Sequence, residues 1–496
     1  LLVLHCIPQR NIEAKMRNLI INILVIITLA SCSTKVENIV QTDIDLQIYP
    51  DYKYVTIPCN IAPINFAFTD STKIDAILIS CNGDSLTAKV SNNCTKIKIS
   101  EWHNFLADKG GETLTFTPCS KTDSRWLAYK PFNIEISPDS IDKTLVYRLI
   151  PPVYEIWNRM GIFQRDLESY TQKSIYENRY GKGNCVNCHS FCQNSPDRMM
   201  MHVRTRFAGT YTFIDGIFDK IKADFSKQIA GPTYPYWHPS GQFIAFSLNK
   251  IYQDFHTADT NLIEVYDDVS DVIVYNIENE SIITSPLTCA TDAFETFPCF
   301  SPDGKWLYFC RAQAIDSVRY NFKDVHYSIC RIAFNPDAGT LGDSVDVVYD
   351  AASIGKSASF PRISPDGRFL LFTLSNYGNF SIWHNEADLI MLDLTTGDSI
   401  STYNINSTYT ESYHSWSSNS RWVAFSSRRG DGLYTRPYFT HVNADGTFSK
   451  PMLLPQQNPQ EYYHELFYSY NIPELVKSEI GLSARITDKL IRGNQQ

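Results

Sequence analysis

Thr233-Tyr-Pro-Tyr-Trp-His-Pro-Ser-Gly-Gln-Phe-Ile-Ala-Phe246 lines up without gaps on Thr296-Phe-Pro-Cys-Phe-Ser-Pro-Asp-Gly-Lys-Trp-Leu-Tyr-Phe309. The pattern returns in Ser359-Phe-Pro-Arg-Ile-Ser-Pro-Asp-Gly-Arg-Phe-Leu-Leu-Phe372 and, degenerately, in Ser412-Tyr-His-Ser-Trp-Ser-Ser-Asn-Ser-Arg-Trp-Val-Ala-Phe425. Each copy reads as strand, Pro-Asp-Gly turn, strand, a tight hairpin in which glycine takes positive φ. Further β-runs such as Asp271-Val-Ile-Val-Tyr275 and Asp388-Leu-Ile-Met-Leu392 follow. The copies begin 63, 63 and 53 residues apart, room for four strands and one propeller blade each. Trp237, Phe300, Ile363 and Trp416 then fall at equivalent inner-strand positions.

A weaker copy, Ser195-Pro196-Asp197-Arg198-Met199-Met200-Met201-His202, matches Ser301 through Phe309 if the glycine is deleted, which places Met200 and His202 on the core face with Leu307 and Phe309. That makes five recognisable blades, and a sixth has to come from the flanks, including Tyr462 to Leu475. Ser124-Arg125-Trp126-Leu127-Ala128-Tyr129 mimics the motif but lies upstream and is read as coincidence.

The phrase Trp/Phe-Ser-Pro-Asp-Gly-Lys/Arg closely resembles the repeat of the TolB-like propellers, a WD-like family of periplasmic proteins, over roughly residues 190–470. The resemblance implies six blades and a funnel that docks a protein or glycan partner at the cell envelope.

Composition agrees with a mainly β protein. The chain is 43% hydrophobic, 20% charged and 13% aromatic, with 29 Tyr and 28 Phe, a globular and β-favouring mixture. Its 496 residues exceed one ordinary core. The net charge of -9 is dispersed, without a Lys/Arg stripe, so no nucleic-acid partner is expected.

The N-terminus reads as an address. Lys15-Met16-Arg17-Asn18 precedes an apolar run from Leu19 to Leu29, interrupted by Asn22 and Thr28 and too short for a permanent membrane span. It ends in Leu29-Ala30-Ser31-Cys32, which resembles the bacterial lipobox. Residues 1–31 are thus expected to be a signal peptide, with Met16 a possible initiator. Cys32 is expected to be lipidated and to anchor the protein to a membrane, facing the periplasm, with 32–45 a tether. Short β-runs from 46 to 150, among them Ala76-Ile77-Leu78-Ile79 and Thr113-Leu114-Thr115-Phe116, predict an N-terminal β-sandwich. Tyr154, Trp157, Met160, Phe163 and Leu167 recur at helical spacing, predicting a short helical bridge over 151–184. The propeller is expected over 185–475 and a tail over 476–496.

Cys185-Val186-Asn187-Cys188-His189 is the one stretch that spells out chemistry. Two thiols three positions apart add to the vinyl groups of one haem, and the next His faces the iron. The stretch looks like a c-type cytochrome attachment site, predicting covalent haem c on Cys185 and Cys188 with His189 as proximal ligand. Met199, Met200, Met201 and His202 are the candidates for the distal ligand; His238 and His414 are read first as surface or channel residues. The alternatives are a structural disulfide, a redox dithiol, or zinc held by Cys185, Cys188, His189 and Cys192. Of the 13 cysteines, Cys59, Cys81, Cys94 and Cys119 lie close enough in sequence for two bridges of open connectivity. No nucleophile elbow, Walker loop or dinucleotide fingerprint is present, so no hydrolase is expected. Two readings result: a haem-bearing redox lipoprotein of the envelope, or a binding propeller that docks a protein or glycan, its Cys pair structural or zinc-binding. A propeller reductase with a second cofactor is a third.

Overall fold

The computed structural model describes residues 36, 39–123, 125–151, 159–181, 183–259 and 261–494. Cys32, Tyr154 and Trp157 lie outside them. Six four-stranded antiparallel sheets follow one ten-stranded sheet. The six form a closed ring of blades, because each inner strand touches the next: Ser469–Val476, Cys185–Phe191, Pro232–Trp237, Ala293–Phe300, Ser357–Ile363, Glu411–Trp416, and back to Ser469–Val476. They belong to blades one to six in that order.

Blade one is built from both ends of the propeller sequence. Its inner strand, Ser469–Val476, pairs with Thr144–Ile150, which continues into Gly161–Asp166 and Gln172–Glu177. The ring is therefore locked by a late strand on an early one, and six blades resolve the alternative of five. Residues 161–166 and 172–177 are strands, so the helical bridge is not found there. Of the residues that carry the three-or-four spacing, Phe163 lies in the strand, Met160 and Leu167 flank it in packed positions, and Tyr154 and Trp157 fall outside the described residues. The expected tail is packed too: Ile480 and Leu482 join the core of blades one and two, and a helix, Ala484–Gly493, buries Ile491 there.

The repeat's last aromatic shows why the blades hold. Phe246, Phe309, Phe372 and Phe425 are all fully buried, each contributing about 1.5–3 kcal/mol. In blade one Tyr147 takes this position, since Leu475 pairs with Leu145 as Phe300 pairs with Leu307. In blade two the register corrects the sequence alignment. Phe191 pairs with Met199, so Met199 and Met201, not Met200 and His202, match Leu307 and Phe309. The intervening turn is one residue longer rather than shorter, with Gln193 and Asn194 at left-handed φ of 49° and 58°. A one-residue slip exchanges the faces of a strand, and Met199 and Met201 accordingly share one core.

Residues 39–137 form the ten-stranded sheet with one helix, Ile99–Leu106. All ten strands form one hydrogen-bonded network. Its core of Phe66, Phe68, Phe116 and Phe132 is continuous with Trp422, Phe439 and Tyr470 of blades six and one. Polar contacts seal the same seam: Trp422 Nε1 donates to Asp139 O at 3.0 Å and Ser418 Oγ donates to Asp142 at 2.6 Å. Among the described residues no helix is long and apolar enough to cross a membrane.

Candidate functional site

The Cys-x-x-Cys-His stretch is the inner strand of blade two, Cys185–Phe191. Every inner strand carries a non-glycine residue at left-handed φ at one shared position: Cys188 (52°), Tyr234 (43°), Phe297 (51°), Phe360 (53°), Tyr413 (45°) and Ile472 (53°). Pairing with the second strand shifts there in all six blades, a β-bulge that re-aims a side chain. Four of the six bulge residues are aromatic and meet on the axis: Tyr234 and Phe297 are 4.5 Å apart, Phe297 and Phe360 4.0 Å, Phe360 and Tyr413 4.8 Å. They plug the channel, leaving a cavity of about 30 Å³ beside Cys188 and His189.

The residue after each bulge is Pro235, Pro298, Pro361 or Pro473, but His189 in blade two and His414 in blade six. Both imidazoles are buried and pushed down to about 3, chiefly by burial, so they are neutral. His189 Nε2 donates to Ile472 O at 2.9 Å and His414 Nε2 to Leu371 O at 2.9 Å. They tie neighbouring blades together.

These residues do not fit a covalent haem. The two cysteines stand on an extended strand with a bulge at Cys188, not on one face of a helix. The Cys185 thiol lines a cavity with Arg148 and Arg204, while Cys188 lines the axial plug. His189 faces a backbone carbonyl and a space of about 30 Å³, whereas sites for sizeable ligands are ~300–1,000 Å³. The distal candidates are elsewhere: Met199 and Met201 pack in the core between blades one and two, Met200 in that of blades two and three, and His202 Nδ1 is 2.9 Å from Thr210 Oγ1. His189 and His202 therefore share no iron site. Cys192 Sγ donates to His238 O at 3.5 Å, away from His189, and among the described residues no three His, Cys, Asp or Glu side chains converge to hold a metal. The described cysteines are free thiols, so neither the Cys185–Cys188 bridge nor bridges among Cys59, Cys81, Cys94 and Cys119 form. His238 bonds Ser240 and Gly304 O, a link between turns of blades three and four.

Beyond the plug the channel opens into a funnel of about 280 Å³ with walls from all six blades. Trp237, Phe300, Ile363 and Trp416, each the last residue of its inner strand, line it as equivalents. The Trp237 indole donates to Ser190 O at 3.2 Å and that of Trp416 to Arg362 O at 3.1 Å. Arg362 and Glu474 share one repeat position, two residues past the bulge. The Arg362 guanidinium lies 5.0 Å from the Tyr236 ring centroid and donates to Pro361 O at 2.8 Å. Among the described residues it has no ion-pair partner. Burial pushes the Glu474 carboxyl up to about 8, against the pull of Arg362, and its buried Oε2 has no hydrogen-bond partner. At neutral pH the funnel therefore presents a cation beside a protonated acid, with Lys477 at the rim. The sequence reading missed Arg362 and Glu474. Aligning all six inner strands exposes them, but the sixth is identifiable only once its pairing is known.

No family model matches the chain, and no curated protein matches it. Among solved structures it is similar to prolyl oligopeptidase B from Galerina marginata, at 8% identity and a TM-score of 0.34 over 68% of this chain and 42% of that one. The chain thus spans less than half of that peptidase. A periplasmic gluconolactonase of Pseudomonas aeruginosa is 13% identical with a TM-score of 0.31, over 63% of this chain and 96% of that one. A DUF4784 family protein from Bacteroides caccae is 7% identical with a TM-score of 0.29, over 74% and 98%.

Proposed function

We propose that this chain is an exported, lipid-anchored protein of the bacterial envelope whose propeller binds, without converting it, a short peptide segment bearing a free carboxylate. The observation that carries the reading is Arg362, a funnel cation with no counter-ion among the described residues, above a floor closed by aromatic rings. Arginine pairs with carboxylates through two parallel bonds, and a protonated Glu474 leaves that charge uncancelled. The lipobox at Cys32 supports the envelope location. The test titrates the full chain with random-sequence pentapeptides ending in carboxylate or amide, read by tryptophan fluorescence. Saturable binding of the carboxylate pool, weakened at least tenfold in Arg362→Gln, is expected. Equal response to the amides, a response to oligosaccharides alone, or a haem-sized mass on protein matured in a haem-competent host would overturn it.

A further inference from the structure

We infer that the opposite mouth of the propeller, between blades one and two, carries a separate oxyanion-binding site built on Arg148 and Arg204. The residue after the buried aromatic on each second strand faces the residue before each bulge. In blades three to six it is Ser247, Cys310, Thr373 and Ser426, all small, opposite Thr233, Thr296, Ser359 and Ser412. Blade one breaks this pattern with Arg148 opposite Asn471, and blade two with His202 opposite Asn187. A long cation and two amides have replaced small groups at one point of a repeating ring.

Arg148 is 7% exposed. Its Nη1 donates to Asn187 Oδ1 and, with the Asn471 amide oriented to suit its neighbours, its Nη2 donates to Asn471 Oδ1 at 3.1 Å. Nε is buried without a partner. Arg204 ends the second strand of blade two opposite Cys185. Neither guanidinium forms an ion pair among the described residues. Both line one cavity of about 440 Å³ with Cys185, Asn187, Met160 and Gln253. Burial raises the Cys185 thiol, and the positive charges of Arg148 and Arg204 draw it back down. Asn187 Oδ1 also accepts from Cys188 N at 2.9 Å, which turns its amide hydrogens to the remaining space.

Two guanidiniums on one cavity repel each other, and a buried charge without a partner is costly. Among the described residues amides hold Arg148, and no carboxylate neutralises it. The group that completes such a site has several acceptor oxygens and negative charge: a phosphate, a sulfate or a carboxylate, met by two guanidinium forks. The site lies across the aromatic plug from the funnel and does not depend on the reading of Arg362.

The probes are sodium phosphate, sulfate and succinate, titrated into the full chain at constant ionic strength against sodium chloride, with thermal midpoint and calorimetry as readouts. At least one oxyanion is expected to stabilise the protein saturably, and the preferred probe identifies the source chemistry. Arg204→Gln, at a half-exposed position, is expected to fold and to weaken binding at least tenfold; Arg148→Lys keeps charge but loses the fork and should weaken it also. Arg362→Gln removes the funnel cation and should leave intact the part of the phosphate and sulfate effect that Arg204→Gln abolishes. No saturable effect beyond chloride, unaltered phosphate and sulfate affinity in Arg204→Gln, or loss of that Arg204-dependent effect in Arg362→Gln would overturn the site.

Discussion

His189 Nε2 donates to the carbonyl oxygen of Ile472 at 2.9 Å, joining the inner strands of blades two and one where the early and late parts of the propeller meet. Both residues sit at or beside the bulge that recurs in every blade, and four blades place proline where blade two has this histidine. The bond is an inter-blade tie at the ring's closing seam.

His189→Pro should preserve the bulge and the fold, since proline already occupies the equivalent site. Losing the hydrogen bond and some packing costs about 1–3 kcal/mol. His189→Asp, which buries a charge, should cost more, and urea-denaturation midpoints will order the two. Because His189 stays neutral to about pH 3 while an unfolded histidine protonates near 6.5, wild-type stability falls as pH drops through that window. The proline variant should show a shallower acid loss, by one proton. Equal cost for the two variants would remove the bulge equivalence.

Glu474→Gln should stabilise the protein at neutral pH. The folded carboxyl holds its proton to about pH 8, whereas in the unfolded chain it ionises above 4.5. Its contribution is therefore complete below 4.5 and lost as pH rises towards 8. The variant is expected to gain on the order of 2–3 kcal/mol at pH 7 and nothing at pH 4. A gain independent of pH would place the cause in packing rather than in proton binding.

A chain truncated after Phe467 loses the inner strand of blade one. Thr144–Ile150 would then expose its edge, and the core holding Tyr147, Tyr470 and Leu475 would open. Loss of cooperative thermal unfolding and rapid proteolysis across the whole propeller are expected. A protease-resistant core comprising blades two to six would contradict closure as the source of stability.

All eleven described cysteines are free. Alkylation in denaturant without reductant, followed by mass spectrometry, should modify every one of them. Protection of Cys185 and Cys188 together would indicate a thioether or disulfide there; protection of a pair among Cys59, Cys81, Cys94 and Cys119 would indicate a bridge in the N-terminal sheet.

Cys32→Ala should release the protein from membranes or leave it unprocessed. Fractionation identical to the parent would remove the lipid anchor from the proposal.

The blades were legible in the sequence by itself because their signals are local. A Pro-Asp-Gly turn closes within a few residues, and the alternation beside it declares the buried face, so Trp237, Phe300, Ile363 and Trp416 are equated by sequence alone. Three matters depended on the tertiary structure. The first blade joins residues near 145 to residues near 475, a pairing that no local pattern carries. The second blade's register turned on one extra turn residue, which moved Met199 and Met201 to the core face. The third is the meaning of Cys185-Val186-Asn187-Cys188-His189. A motif of residue types specifies chemistry only if the backbone turns its side chains to a common point. Here an extended strand with a left-handed bulge at Cys188 sends one thiol towards Arg148 and Arg204, the other to the axial plug, and the imidazole to a neighbouring carbonyl.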